Sequence, residues 1–248
     1  MMHPDTARAL NALNAHFYRT IAPEFDQTRG QAWAGWLNIV PYAHAIGRAP
    51  LRVLDVGCGN GRWGVFLAEQ GLSVSYHGVD NSTALLGYAD TALSRAGVPF
   101  RLQEADALLS DDWAQAGATY DLIGAFGVLH HVPSSVRRMA FLRFLASLLA
   151  EGGVLAFATW RFYDNERLRA RVVDWATLPD LPHADTLEAG DYLLDWRRGE
   201  RALRYCHHVD DDEHRALERA TGLRACAFYR ADGQDGQLNA YSILRKGV

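Results

Sequence analysis

Apolar and polar positions alternate along this chain in blocks that predict strands separated by helices. Short apolar runs occur at 51–56, 74–79, 98–102, 120–125 and 154–159. They are bounded by Gly, Asp or Pro, as buried strands are. Between them apolar residues recur at helical spacing. Residues 62–70 read as a helix closed by Gly71. Asn81 and Ser82 are N-cap types for a helix running to Ala96 and stopped by Gly97. Residues 133–149 are strongly periodic, with Val136, Met139, Ala140, Leu142, Phe144 and Leu148 as apolar positions. Gly152 and Gly153 read as the turn into the fifth strand. Helices at 7–18 and 31–46 precede the first strand, and Pro41 is expected to kink or end the second of them.

Strand–helix alternation of this kind implies an α/β fold: a doubly wound, mostly parallel, Rossmann-like sheet with helices on both faces. The pattern breaks at 160–203, which shows no clean strand, several prolines and many Arg, Asp and Trp residues. We read 160–209 as an insertion after the fifth strand, on the substrate side. From Asp210 the sheet resumes with a helix to Thr221, a strand at 225–229 and a last strand at 240–244, which brings it to seven strands. The expected organisation is one domain over 1–248, with 1–50 as an N-terminal helical lid.

Composition narrows the function. The chain has 248 residues, 49% hydrophobic and 22% charged, as in ordinary globular domains. No apolar stretch approaches a membrane span, and the first residues lack a signal-peptide core. Three cysteines with no C-x-x-C pair argue against a disulfide scaffold or zinc knuckle, and a cytoplasmic setting is expected. A net charge of −4 gives the surface as a whole no nucleic-acid signature.

The candidate chemistry starts at residues 53–64, VLDVGCGNGRWG. A strand ends in Asp55 and Val56; Gly57, Gly59 and Gly61 alternate with Cys58 and Asn60; a helix follows. Alternating glycines let backbone approach a ligand closely, and a helix start offers unpaired N–H groups. Such turns bind nucleoside-containing cofactors. Asp80 ends the second strand and can accept from both ribose hydroxyls, with Asn81 beside it. Asp106 follows the third strand, placed to accept from an adenine amine, and Ala105 and Ala107 leave room for a flat ring. After the fourth strand, FGVLHHV (126–132) supplies Gly127, His130 and His131. One histidine is expected on the pocket wall and the other in a structural role. Metal binding is not expected, because no matched ligand set is evident.

The D-x-G-x-G-x-G pattern resembles motif I of class I methyltransferases, which bind S-adenosyl-L-methionine with the motif acid near the amino-acid moiety. A narrower resemblance covers almost the whole chain. FYRTIAPEFDQTR (17–29), VLHHV (128–132), ATW (158–160), GDYLLDW (190–196), RYCHHV (204–209) and AYSILRKG (240–247) are similar to segments of the tRNA wobble-uridine carboxymethyl methyltransferases. That family esterifies 5-carboxymethyluridine, and its eukaryotic members act with a small zinc-binding partner. The resemblance implies a tRNA substrate and a small activating partner protein. Arg29 is the candidate to fix the substrate carboxylate as a bidentate fork. His130 and Trp160 join it at the reacting centre, and Tyr18, Phe25, Trp160, His131 and Tyr205 are the substrate-side candidates.

Two features depart from that family. The chain is net acidic, and acids outnumber arginines between Trp160 and Arg204. Its arginine- and alanine-rich composition also looks bacterial. A small-molecule carboxyl or hydroxyl O-methyltransferase is therefore the alternative, and a non-catalytic S-adenosylmethionine-binding protein is the third reading.

Overall fold

The computed structural model describes residues 2–27, 31–108, 112–114, 117–178, 184–197 and 202–247, without the side chains of 22–27 and 184. Strands β1 (Leu51–Val56), β2 (Val74–Asp80), β3 (Phe100–Glu104), β4 (Tyr120–Phe126) and β5 (Leu149–Trp160) join β9 (Arg224–Ala231) and β10 (Asn239–Arg245) in one seven-stranded sheet. Its order is β3-β2-β1-β4-β5-β10-β9. The first five strands in that order pair parallel, and β10 runs antiparallel to both of its neighbours.

Both faces of this sheet are covered, which is why its central strands are almost continuously apolar. Val53 and Leu122 point into one core, with Trp36, Trp63, Phe66 and Tyr241. Leu54 and Ile123 point into the other, with Phe141, Leu142, Leu145 and Leu217. Helices α3 (Arg62–Glu69) and α4 (Thr83–Arg95) cover the first face. Helices α5 (Ser135–Ser147) and α7 (Asp211–Ala220) cover the second. Ser82 caps α4, its hydroxyl accepting from the Leu85 amide, and Asp210 caps α7 by accepting from the Glu213 amide.

The local differences from expectation have physical causes. The N-terminal helix α1 is longer than its apolar pattern, Pro4–Gln27. Residues 31–46 form no single helix. A 3-10 turn at Ala34–Asn38 leads into α2 (Val40–His44), and Pro41 lies in its first turn, where a missing N–H costs nothing. Strand β3 starts two residues later than expected. Strand β5 begins at Leu149 and runs through Gly152 and Gly153, with its register against β4 shifting there. Among the described residues no helix is long and apolar enough to cross a membrane.

The region read as strandless holds the main correction. It contains a three-stranded antiparallel sheet, β6 (Val172–Val173), β7 (Asp191–Trp196) and β8 (Ala202–His207), with a short helix, α6 (Glu166–Arg169), ahead of it. Its buried positions include Asp191, Asp195 and His207 on one face and Arg204 on the other. Charged residues at core positions erased the apolar alternation that marks a strand.

Those charges tie the small sheet to the main fold. The guanidinium of Arg138 on α5 is fully buried and donates to Glu188, Glu213 and the Val132 carbonyl at 2.6, 2.7 and 2.9 Å. His207 lies 2.7 Å from both Asp191 and Glu213. Burial opposes its charge, but those two carboxylates outweigh burial and hold its pKa above the ordinary value. Removing one partner strands the rest. Arg138→Met should therefore lower stability by about 3–5 kcal/mol, the usual cost of breaking a buried ion cluster. Urea unfolding checks this; a loss below roughly 1 kcal/mol would show that the cluster does not anchor the sheet.

Candidate active site

The chain turns sharply at the carboxyl end of β1. Gly57, Gly59 and Gly61 all have positive φ, at 71°, 53° and 73°. A Cβ on Gly57 would lie 2.3 Å from a Val128 methyl, so no side chain fits there. At Gly59 a Cβ would meet nothing within 4 Å. The loop thus presents bare backbone to open space. Asp80 holds it from β2: the Gly59 amide donates to one carboxylate oxygen at 2.8 Å and the Ser82 amide to the other at 2.9 Å. A carboxylate has about four lone-pair sites, so these amides leave room for a further donor. Burial raises the Asp80 pKa, against the amide bonds that lower it.

Asp55 is buried beneath the turn. Desolvation lifts its pKa to about 7, although the Tyr76 hydroxyl, donating at 2.5 Å, favours the anion. Asp106 accepts from the Leu108 amide at 3.1 Å and so shapes the loop after β3.

These groups border a cavity of about 290 Å³. Asp55, Gly57, Cys58, Gly59, Asn60, Asp80, Asn81, Asp106, Ala107 and Gly127 line it, and so do Tyr18, His130, His131 and Trp160. Two expected contacts are not on the wall. Gly61 is the N-cap of α3, where a Cβ would lie 3.0 Å from Ala89 of α4, so it serves helix packing. Tyr205 is fully buried behind the wall, its hydroxyl donating to Asp191 at 2.8 Å. Arg29 lies outside the described residues, as does the side chain of Phe25. The cavity also takes Asn11 and Asn14 from α1, Trp33 and Arg62, Arg204 from β8, and Asp232 and Asn239 near the last hairpin. Asn11 and Asn14 share a helix face at i, i+3 spacing, which was the one available sequence signal. Arg204 opens the segment RYCHHV, but it was not singled out because its strand was not recognised.

Both histidines after β4 are buried on the wall, so position does not divide them as expected. His131 is bonded at both ring nitrogens: Nε2 lies 2.7 Å from the Tyr18 hydroxyl, and Nδ1 lies 3.1 Å from the Asn14 amide and 3.0 Å from the Tyr205 carbonyl. The His130 ring lies 4.0 Å from the His131 ring and 5.1 Å from Trp160, centroid to centroid. Among the described residues two groups of side chains have metal-ligand spacing, His130–His131–Cys206 and Glu188–Asp191–His207. In the second, Arg138 already lies 2.6 Å from Glu188 and 2.9 Å from His207, so a guanidinium occupies the place of a cation.

The chain matches the model of a methyltransferase domain family over residues 25–226. It belongs to that family. The fold agrees with the class I, S-adenosylmethionine-dependent type. A solved S-adenosylmethionine-dependent methyltransferase from Clostridium acetobutylicum superposes with TM-score 0.63 at 14% identity, covering 94% of this chain and 98% of that one. A 1,6-didemethyltoxoflavin N1-methyltransferase from Burkholderia thailandensis gives 0.64 at 16%, covering 98% and 91%. At such identities the likeness is one of fold. In sequence, this methyltransferase domain is 30% identical over 146 residues to a Parvibaculum lavamentivorans protein named ubiquinone biosynthesis O-methyltransferase, covering 59% of this chain and 48% of the relative. The chain spans about half the length of the curated relatives it matches, or less.

One property of the cavity wall is testable without a ligand. Burial, then the nearby Arg204 charge, lower the His131 pKa from 6.5 to about 3. Unfolded His131 therefore takes up a proton that the native ring refuses. Its contribution to stability is full above 6.5 and falls as pH drops from there toward 3. His131→Gln should flatten part of the acid side of the stability–pH curve. The native His131 ring resonances should not titrate near neutrality; a midpoint close to 6.5 by NMR would contradict the buried placement.

Proposed function

We propose that this chain transfers the methyl group of S-adenosylmethionine to an oxygen of a small-molecule acceptor. The observation that carries the reading is the continuity of one cavity, from the glycine turn and its acids to a wall of Tyr18, His130, His131, Trp160 and Arg204. The cofactor residues fit the first end. Asp80 would take the ribose hydroxyls on its remaining lone pairs, Asp106 the adenine amine beside Ala107, and Asp55 the amino-acid end, with Gly57 to Asn60 as the bare backbone against it. When bound, the cofactor supplies a methyl group ready for in-line displacement. The chain's own task is then to orient an acceptor oxygen and exclude water, which is worth roughly 7–11 kcal/mol in well-positioned reactions. Helix α1 with Asn14 and Tyr18, β5 with Trp160 and β8 with Arg204 would close the acceptor end. Relatives named as O-methyltransferases support oxygen as the acceptor atom.

A second reading is methyl esterification of a carboxymethylated wobble uridine in tRNA. The segments at 17–29, 190–196 and 204–209 favour it. Salt separates the two readings, because phosphate contacts weaken steeply with ionic strength while a small acceptor hardly responds. Transfer of labelled methyl to a metabolite extract but not to carboxymethylated tRNA is the expected outcome; the reverse would move the assignment to tRNA.

Calorimetry with S-adenosylhomocysteine should give micromolar binding that Asp80→Ala abolishes. No binding by the unsubstituted protein would overturn the cofactor assignment. The same titration should depend on pH. The free Asp55 carboxyl titrates near 7, and a cationic amino group beside it favours the anion. Affinity should fall as pH drops below that value and level off above it, and Asp55→Asn should flatten the profile.

A further inference from the structure

We infer that Arg204 selects the methyl acceptor, and that the acceptor carries an oxyanion, a carboxylate or a phosphate, which the Arg204 guanidinium binds. The inference rests on the methyl-transfer reading above and names the substrate class for the same cavity.

Arg204 lies within β8, opposite Leu194 and diagonal to Trp196 on β7. It is 7% exposed and borders the cavity beside Asn14, Tyr18, His131 and Trp160. Its guanidinium carbon sits 4.8 Å from the Trp160 ring centroid, 5.1 Å from Phe17 and 6.0 Å from Trp196. Among the described residues it has these ring faces and no hydrogen-bond acceptor or carboxylate.

The other buried guanidiniums are treated differently. Arg138 meets Glu188, Glu213 and a carbonyl. Arg161 meets Asp164, Asp211 and the Val209 carbonyl. Aromatic faces attract a cation but accept none of its five N–H donors. A desolvated cation with unmet donors is costly unless an anion joins it. At a cavity wall that anion can be a ligand. A planar fork suits a carboxylate or phosphate, and the flanking rings keep water from competing for it. The neighbouring His131, neutral at working pH, adds no second positive charge.

The test titrates protein loaded with S-adenosylhomocysteine with benzoate, phenyl phosphate and benzamide, following tryptophan fluorescence, since Trp160 and Trp196 flank Arg204. At least one of the two anions should bind saturably, and neutral benzamide, close to benzoate in shape, roughly ten- to hundredfold more weakly. The benzoate and phenyl phosphate arms distinguish carboxylate from phosphate. Arg204→Met should abolish the anion preference. Arg204→Lys should not restore it, because an ammonium has no planar fork. S-adenosylhomocysteine affinity should be unchanged in both variants. Equal binding of anions and benzamide by the unsubstituted protein, or an undiminished preference in folded Arg204→Met, overturns the inference. The comparison in unsubstituted protein needs no variant, so a poorly folded Arg204→Met does not shield the idea. Should S-adenosylhomocysteine itself fail to bind, the cofactor reading falls, and the same comparison in unloaded protein still decides the role of Arg204.

Discussion

The helices after β1 and β4 leave for opposite faces of the sheet, α3 to the Trp63 and Phe66 side and α5 to the Phe141 and Leu142 side. Nothing then fills the space beyond the carboxyl ends of these neighbouring parallel strands, and a crevice is forced there. Every group of the candidate site depends on that gap. The glycine turn after β1 gives it a wall of bare backbone, and Asp80 on the next strand pins the turn through the Gly59 amide. Gly127 and the two histidines follow β4 into the same space.

An open crevice binds poorly without walls, and here the walls come from outside the parallel sheet. Helix α1 lays Asn11, Asn14 and Tyr18 along one side. The small antiparallel sheet brings Arg204 to another and reaches α1 through His131, which meets both Tyr18 and the Tyr205 carbonyl. That sheet is held by charge as well as by apolar contact, through Arg138, Glu188, His207 and Glu213. Ionic anchoring is directional. It fixes where β8 sits, and so where Arg204 meets the cavity, more narrowly than apolar packing alone would.

The same chain thus uses buried arginine in two ways. Arg138 and Arg161 are saturated by acids and carbonyls and serve the fold. Arg204 is surrounded by rings and borders the cavity. Net acidity elsewhere on the surface hides this local positive site, because an overall charge says nothing about a single guanidinium inside a cleft.

The strand–helix alternation, the glycine turn and the acids at 55, 80 and 106 were legible in the sequence. Each depends on local physics: two-sided burial makes a run apolar, positive φ selects glycine, and a helix start selects Ser82 or Asp210. The small sheet was not legible, since buried positions on both of its faces carry charge, Asp191 and His207 on one and Arg204 on the other, and this removes the apolar alternation. The places of Tyr205 and Gly61 were also decided by packing, one behind the cavity wall and one between helices. Sequence by itself determined the glycine turn and the placing of Asp55 and Asp80 beside it, where one strand–turn–helix unit and the next strand supply most of the geometry. Only the tertiary structure decided that Asn11, Asn14 and Arg204 share the cavity, because α1, β5 and β8 meet there, and no local pattern records which charge will face another element.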